Sequence, residues 1–65
     1  MKNMGLEVVG RVESEFREMP GLSLDRRQAQ KLFGLDEAAV AQVLDHLVTT
    51  QVLMRHHNGT YKLQA

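Results

Sequence analysis

The apolar side chains of the chain recur with the period of an α-helix in three separate segments. In the first segment, residues 5–19, they are spaced three and four positions apart, and charged residues take the other faces. This apolar stripe consists of Leu6, Val9, Val12, Phe16 and Met19. Gly10 weakens the helix by about 1 kcal/mol relative to alanine, so we expect this helix to depend on packing against the rest of the chain.

A second helix is predicted after the break at Pro20-Gly21, over residues 26–33. Asp25 and Gln28 stand three positions apart, which is the spacing of a capping box at a helix start. Gly34 occupies the position where a helix commonly ends in a left-handed residue. The predicted buried stripe of this helix is Ala29, Leu32 and Phe33.

A third helix is predicted over residues 37–50, with Asp36 as its N-cap and Glu37 at the positive end of the helix dipole. Its predicted buried face is Val40, Val43, Leu44, Leu47 and Val48. Its predicted outer face is Glu37, Ala38, Ala39, Gln42, Asp45, His46 and Thr49. Two helices joined by a tight turn that contains Gly34 indicate a helix-turn-helix.

The remaining segment, residues 52–63, has the pattern of a β-hairpin. Val52 to His56 is strand-like, Asn58-Gly59 is a strong turn signal, and Thr60 to Leu63 forms the return strand. The stretch at residues 22–24 is short and predicts a single extended arm. The sequence therefore predicts one two-stranded sheet at the C-terminal end.

Two loop lengths give this hairpin different registers. A two-residue loop places Leu53 and Leu63 on opposite sides of the hairpin. A three-residue loop with a left-handed Gly59 sets Leu53 across from Leu63 and Arg55 across from Tyr61. We favour the three-residue loop, because a slip of one residue moves the apolar side chains to the other face of the strand.

Composition narrows the class of protein. With 65 residues the chain is expected to form a single domain, residues 1–65, and it has no cysteine for a disulfide or a thiolate metal site. Eight Lys and Arg balance eight Asp and Glu, so the basic excess usual in nucleic-acid binders is missing. We find no apolar run as long as a membrane span and no signal-peptide pattern, so we expect a cytoplasmic protein.

The order of these elements and the residues within them resemble the winged helix-turn-helix of bacterial MarR-like and ArsR-like transcription regulators. The resemblance covers about two thirds of the chain, and its motifs are Leu32 to Leu35, Leu44 and Leu47, Leu53-x-Arg55, Gly59, and Tyr61-x-Leu63. It implies an α+β winged helix: a three-helix bundle with a helix-turn-helix and a C-terminal two-stranded β-hairpin wing. It also implies duplex DNA as a partner and a role in transcription regulation.

The chain departs from that family pattern at two points. The family usually has glycine just after the third helix, where the chain turns through a left-handed conformation, and this chain has Gln51. Gln51 therefore implies either strain or a different helix ending. In addition, the family's third helix enters the major groove and often carries cations, whereas residues 37–50 contain no Arg or Lys.

The candidate DNA-binding residues follow from this arrangement. The cations that could reach phosphates are Arg26, Arg27, Lys31, Arg55 and Lys62. Arg26 and Arg27 stand at the positive end of a helix dipole, and a bound phosphate would relieve that unfavourable position. Gln42 has the side chain that bonds adenine bidentately, and His46 stands one turn further on. The alternative for each is an ordinary solvated surface residue.

A protein-interaction or dimerisation module without DNA binding is the rival hypothesis. It is favoured by the near-neutral charge, by the smooth helix face at Ala38-Ala39, and by Met4 and Val8 outside the main stripe of the first helix. No enzyme, cofactor, metal or small-molecule substrate is expected. The adjacent His56 and His57 point to opposite sides of a strand and are poorly placed to chelate one ion.

Overall fold

The computed structural model describes residues 4–64, and the side chains of residues 7–64. The elements follow in the order α1 (Met4–Glu18), β1 (Ser23–Leu24), α2 (Arg26–Phe33), α3 (Glu37–Thr49), β2 (Leu53–Arg55) and β3 (Tyr61–Leu63). The fold class is therefore α+β, with helices that pack on an antiparallel sheet.

The predicted caps of α2 and α3 are present. The side chain of Asp25 accepts a hydrogen bond from the backbone N–H of Gln28 at 2.8 Å, and the Gln28 side chain accepts one from the Asp25 backbone at 2.9 Å. Gly34 ends α2 in the left-handed region, at φ 68°. The carboxylate of Asp36 accepts a hydrogen bond from Ala39 N–H at 2.8 Å and so begins α3. These contacts fix the start of each helix and the turn between them.

The end of α3 shows which of the two alternatives for Gln51, backbone strain or a different helix ending, holds. This residue has φ 67° and is the one non-glycine residue with a positive φ among residues 4–64. Its N–H donates to the carbonyl of Val48 at 3.0 Å, and the N–H of Val52 donates to the carbonyl of Leu47 at 2.9 Å. This is the hydrogen-bond pattern of a Schellman ending, so the chain turns as glycine would turn it, at some cost in backbone strain.

The predicted two-stranded hairpin is present as β2 and β3, and a third strand that was not predicted, β1, extends the sheet in the order β1-β3-β2. Leu24 of β1 pairs with Tyr61 of β3, and Ser23 pairs with Lys62. A two-residue strand carries too little alternation to be recognised along the chain. Its pairing joins distant parts of the sequence, and the tertiary fold supplies it.

The register of the hairpin confirms the favoured alternative. Leu53 lies across from Leu63, and Arg55 lies across from Tyr61. Leu53 and Tyr61 are each 1% exposed, and Leu63 packs against the same core. The inward side chains of the hairpin therefore lie on one face.

Between β2 and β3, a backbone hydrogen bond from His56 to Thr60 closes the predicted three-residue turn, residues 57–59. The N–H of His56 donates to the carbonyl of Thr60 at 2.8 Å, and Gly59 has the predicted left-handed φ of 93°. The side chain of Asn58 accepts hydrogen bonds from the Thr60 backbone at 3.1 Å and the Thr60 hydroxyl at 2.8 Å. These local bonds stabilise the turn without help from the core.

The core lies between the three helices and the inner face of the sheet. It consists of Val12, Phe16, Leu24, Ala29, Phe33, Val40, Val43, Leu44, Leu47, Leu53 and Tyr61. The rings of Phe16 in α1 and Phe33 in α2 have centroids 6.4 Å apart. Val8 and Val9 pack against the core edge, while the side chains of Met4 and Leu6 lie outside the described part of the chain.

Three predicted burial assignments were wrong. Leu32 is 49% exposed, because Ala29 and Phe33 set the inward direction of α2 and Leu32 is rotated away from it. Met19 is 45% exposed, because α1 ends at Glu18 and the chain then turns away. Ala39 is buried on α3, which contacts α1, α2 and β2 and therefore has a wider buried face than one apolar stripe.

Candidate nucleic-acid interface

The first part of the predicted interface is the exposed side of α2. Arg27 and Lys31 are four positions apart, so they lie on one face of the helix, and both are exposed. Neither forms an ion pair with any side chain of residues 7–64. Two cations with no ionic partner among the described side chains therefore stand along one side of the helix that precedes α3.

Arg26 precedes Arg27 in the sequence, but its side chain has different surroundings. Its Nε donates a hydrogen bond to the hydroxyl of Tyr61 at 3.3 Å, and its Nη2 lies 3.6 Å from a carboxylate oxygen of Asp45. The two contacts connect the start of α2 to β3 and to the middle of α3. Arg26 is thus a cation with intramolecular partners on two other elements.

These neighbours also affect the ionisation of Arg26. The hydrogen bond to the Tyr61 hydroxyl raises the pKa of Arg26 above its ordinary value, and the carboxylates of Asp45 and Glu37 add smaller increases. The positive charge of Arg26 is therefore secure. It also faces two negative charges that belong to α3 itself.

The outer face of α3 presents polar side chains and no Arg or Lys. Gln42 and His46 are exposed and four positions apart, so they lie on the same side of the helix. Asp45 is also exposed, about 100° around the helix axis from His46. The flank with Asp45 faces Arg26. The predicted base-reading residues are thus exposed, and an acidic residue lies beside them.

The two cations of the hairpin point to opposite faces of the sheet. Arg55 lies in the same row as Tyr61, and paired residues in neighbouring strands share a face. Lys62 is the next residue after Tyr61, so it lies on the outer face, together with Met54 and Ser23. Arg55 and Arg26 therefore flank Tyr61, and Lys62 is separated from them by the sheet.

Asp45 and Tyr61 contact Arg26, one of the candidate interface residues, and the sequence did not predict them there. Asp45 was placed on the outer face without a role, and Tyr61 was predicted only as a core residue. The predicted register sets Tyr61 opposite Arg55, and this pairing was one signal that Tyr61 lies beside a candidate interface residue. The contact of Tyr61 with Arg26 joins residues 35 positions apart, and no local pattern indicates it.

Metal ligands and membrane-spanning helices are the remaining features that bear on a site in the described part of the chain. Within residues 4–64, no three side chains among His, Asp and Glu come together in a group that could hold a metal ion. None of the helices there has the length and apolar character needed to cross a membrane. Comparison with protein families, with curated proteins and with solved structures finds no match.

Proposed function

We propose that the protein is a small winged-helix DNA-binding protein of the transcription-regulator kind, which contacts mainly the phosphate backbone. The observation that carries this proposal is the arrangement of α2, the Gly34 turn and α3, followed directly by the β2-β3 hairpin. The two-residue strand β1 pairs with β3 of this hairpin and extends its sheet. In this arrangement α3 is the helix that would enter the major groove, and the hairpin is the wing.

The distribution of charge supports contact with the backbone more than with the bases. The cations nearest to this arrangement that have no ionic partner among residues 7–64 are Arg27, Lys31 and Arg55, and α3 itself offers only Gln42 and His46 for base edges. Three neutralised phosphates correspond to a slope of log affinity against log salt of roughly −2.7. Affinity is then low for one copy at physiological salt and depends little on sequence.

A titration of a fluorescent random duplex, followed by anisotropy between 50 and 200 mM salt, tests this proposal. Wild-type protein should bind with affinity that falls steeply with salt. The double variant Arg27→Glu with Lys31→Glu should bind at least tenfold more weakly. The matched control is Arg11→Glu with Arg17→Glu, which makes the same charge change on α1 and should bind much more strongly than the α2 variant. Absence of wild-type binding at 50 mM salt would contradict the proposal.

A winged-helix module for protein interaction or dimerisation is the second candidate. Exposed apolar side chains at Leu32 and Met54, 49% and 46% exposed, favour it, as does the lack of cations on α3. Sedimentation over a range of concentrations decides between a monomer and a dimer. If the chain dimerises through α2, Leu32→Gln should weaken the dimer, whereas Gln64→Ala at the end of the described chain should not.

A further inference from the structure

Arg26 is the one predicted phosphate contact that already has an anionic partner in the described part of the chain. Its Nη2 stands 3.6 Å from the Asp45 carboxylate, and the hydrogen bond to Tyr61 holds its Nε at the same time. Both contacts orient the guanidinium toward α3 and the sheet. Arg27, the next residue, has no such partner among residues 7–64.

The charges of this pair largely offset each other for a ligand that is farther from them than their separation of 3.6 Å. Asp45 and Arg26 are each partly exposed, with 61% and 41% of their side chains accessible. A polyanion several ångströms away therefore meets one positive and one negative charge of equal size, within a screening length of about 8 to 10 Å. Glu37, the first residue of α3, adds a further negative charge that is close enough to act on Arg26. The start of α2 consequently attracts a phosphate less than its two arginines indicate.

We propose that Asp45 withholds Arg26 from the phosphate backbone and so limits the affinity of the interface for DNA. This inference rests on the proposed function and concerns the regulation of the same interface. The Arg26–Asp45 pair adds no net attraction to a polyanion. Removal of the Asp45 charge alone makes Arg26 available as one more phosphate ligand, at a place beside α3 where the groove would lie.

Three variants and one control test the inference by salt-dependent binding to random duplex. They are Asp45→Asn, Arg26→Gln, the double variant that carries both changes, and Glu18→Gln as the control. The double variant has the same net charge as the wild type. Glu18→Gln removes one exposed negative charge at the end of α1, as Asp45→Asn does on α3. Circular dichroism checks that every variant is folded.

We expect Asp45→Asn to steepen the salt slope by about 0.9, the value for one more neutralised phosphate, and to raise affinity about eightfold at 0.1 M salt. The double variant should have the slope and affinity of the wild type, because it lacks only the neutral pair. Glu18→Gln should give a smaller gain in affinity with no change of slope.

Two results would overturn the inference while the proposed function stands. One is a slope for the double variant about 0.9 shallower than that of the wild type, which means that Arg26 already neutralises a phosphate beside Asp45. The other is a slope for Asp45→Asn that equals the wild-type slope. If neither the wild type nor Asp45→Asn binds duplex at 50 mM salt, both the inference and the proposed function are wrong.

Discussion

Arg26 and Tyr61 are joined by a hydrogen bond of 3.3 Å, although 35 positions separate them in the chain. The ring of Tyr61 is buried in the core, with 1% of the residue exposed, while its hydroxyl reaches the guanidinium at the start of α2. One side chain therefore serves both the core and the polar surface. It fixes the start of α2 against the central strand of the sheet.

Substitutions at Tyr61 separate these two contributions. Tyr61→Phe keeps the buried ring and removes the hydroxyl, so we expect a melting temperature lower by about 3 °C. Tyr61→Ala also removes the ring and costs about 3–5 kcal/mol. That equals the roughly 3–5 kcal/mol that a core of this size supplies, so the alanine variant should be largely unfolded. Thermal denaturation followed by circular dichroism measures both, and equal losses would show that the hydroxyl carries the whole effect.

Gln51→Gly should stabilise the protein by about 1 kcal/mol, because Gln51 has φ 67° and glycine adopts this conformation without a steric penalty. The side chain of Gln51 is exposed, so little packing is lost. The expected rise in melting temperature is about 4–8 °C. The control is Thr49→Gly in the last position of α3, which should destabilise by about 0.3 kcal/mol, the difference in helix propensity between threonine and glycine. A destabilised Gln51→Gly variant would contradict the strain assigned to this position.

Alanine at two glycines should have effects of opposite sign. Gly34 has φ 68° at the end of α2, and an added Cβ meets no atom within 4 Å, so Gly34→Ala should destabilise by about 1 kcal/mol through backbone strain alone. Gly10 lies inside α1 with equally open space, so Gly10→Ala should stabilise by about 1 kcal/mol. Urea denaturation gives both free energies of unfolding. Changes of the same sign would mean that the conformation of one glycine is assigned wrongly.

Neighbouring positions of β2 test the register of the hairpin. Leu53 is 1% exposed and faces Leu63, so Leu53→Ala should cost about 2–5 kcal/mol. Met54 is 46% exposed on the outer face, so Met54→Ala should change stability by less than about 0.5 kcal/mol. Urea denaturation compares the free energies of unfolding of the Leu53→Ala and Met54→Ala variants. A register shifted by one residue would reverse the order of the two losses.

Local signals in the sequence were sufficient for the helices and the hairpin turn. Asp25 and Asp36 bond to backbone groups three residues away, and Gly34 and Gly59 adopt the left-handed conformations expected of them. Such interactions depend on residues a few positions apart, so the sequence displays them directly. Gln51 was the exception, because the chain turns there without the residue that usually marks the turn.

The predicted interface residues were exposed as expected, but their grouping was not available from the sequence. Arg26 and Arg27 are adjacent and looked alike, yet one contacts Asp45 and Tyr61 and the other contacts no ionic partner among residues 7–64. Lys62 and Arg55 are separated by the sheet. These relations depend on how α2, α3 and the sheet pack together.

The sequence by itself determined the order of the helices, their caps, and the register of the β2-β3 hairpin, because these depend on spacing and on contacts between near neighbours. The tertiary structure alone decided the pairing of β1 with β3, the exposure of Leu32, and the partners of Arg26. Each of these joins segments that are distant in the chain, and burial of one shared core brings them together. The effective charge of the candidate interface therefore depends on packing, since packing sets Asp45 beside Arg26.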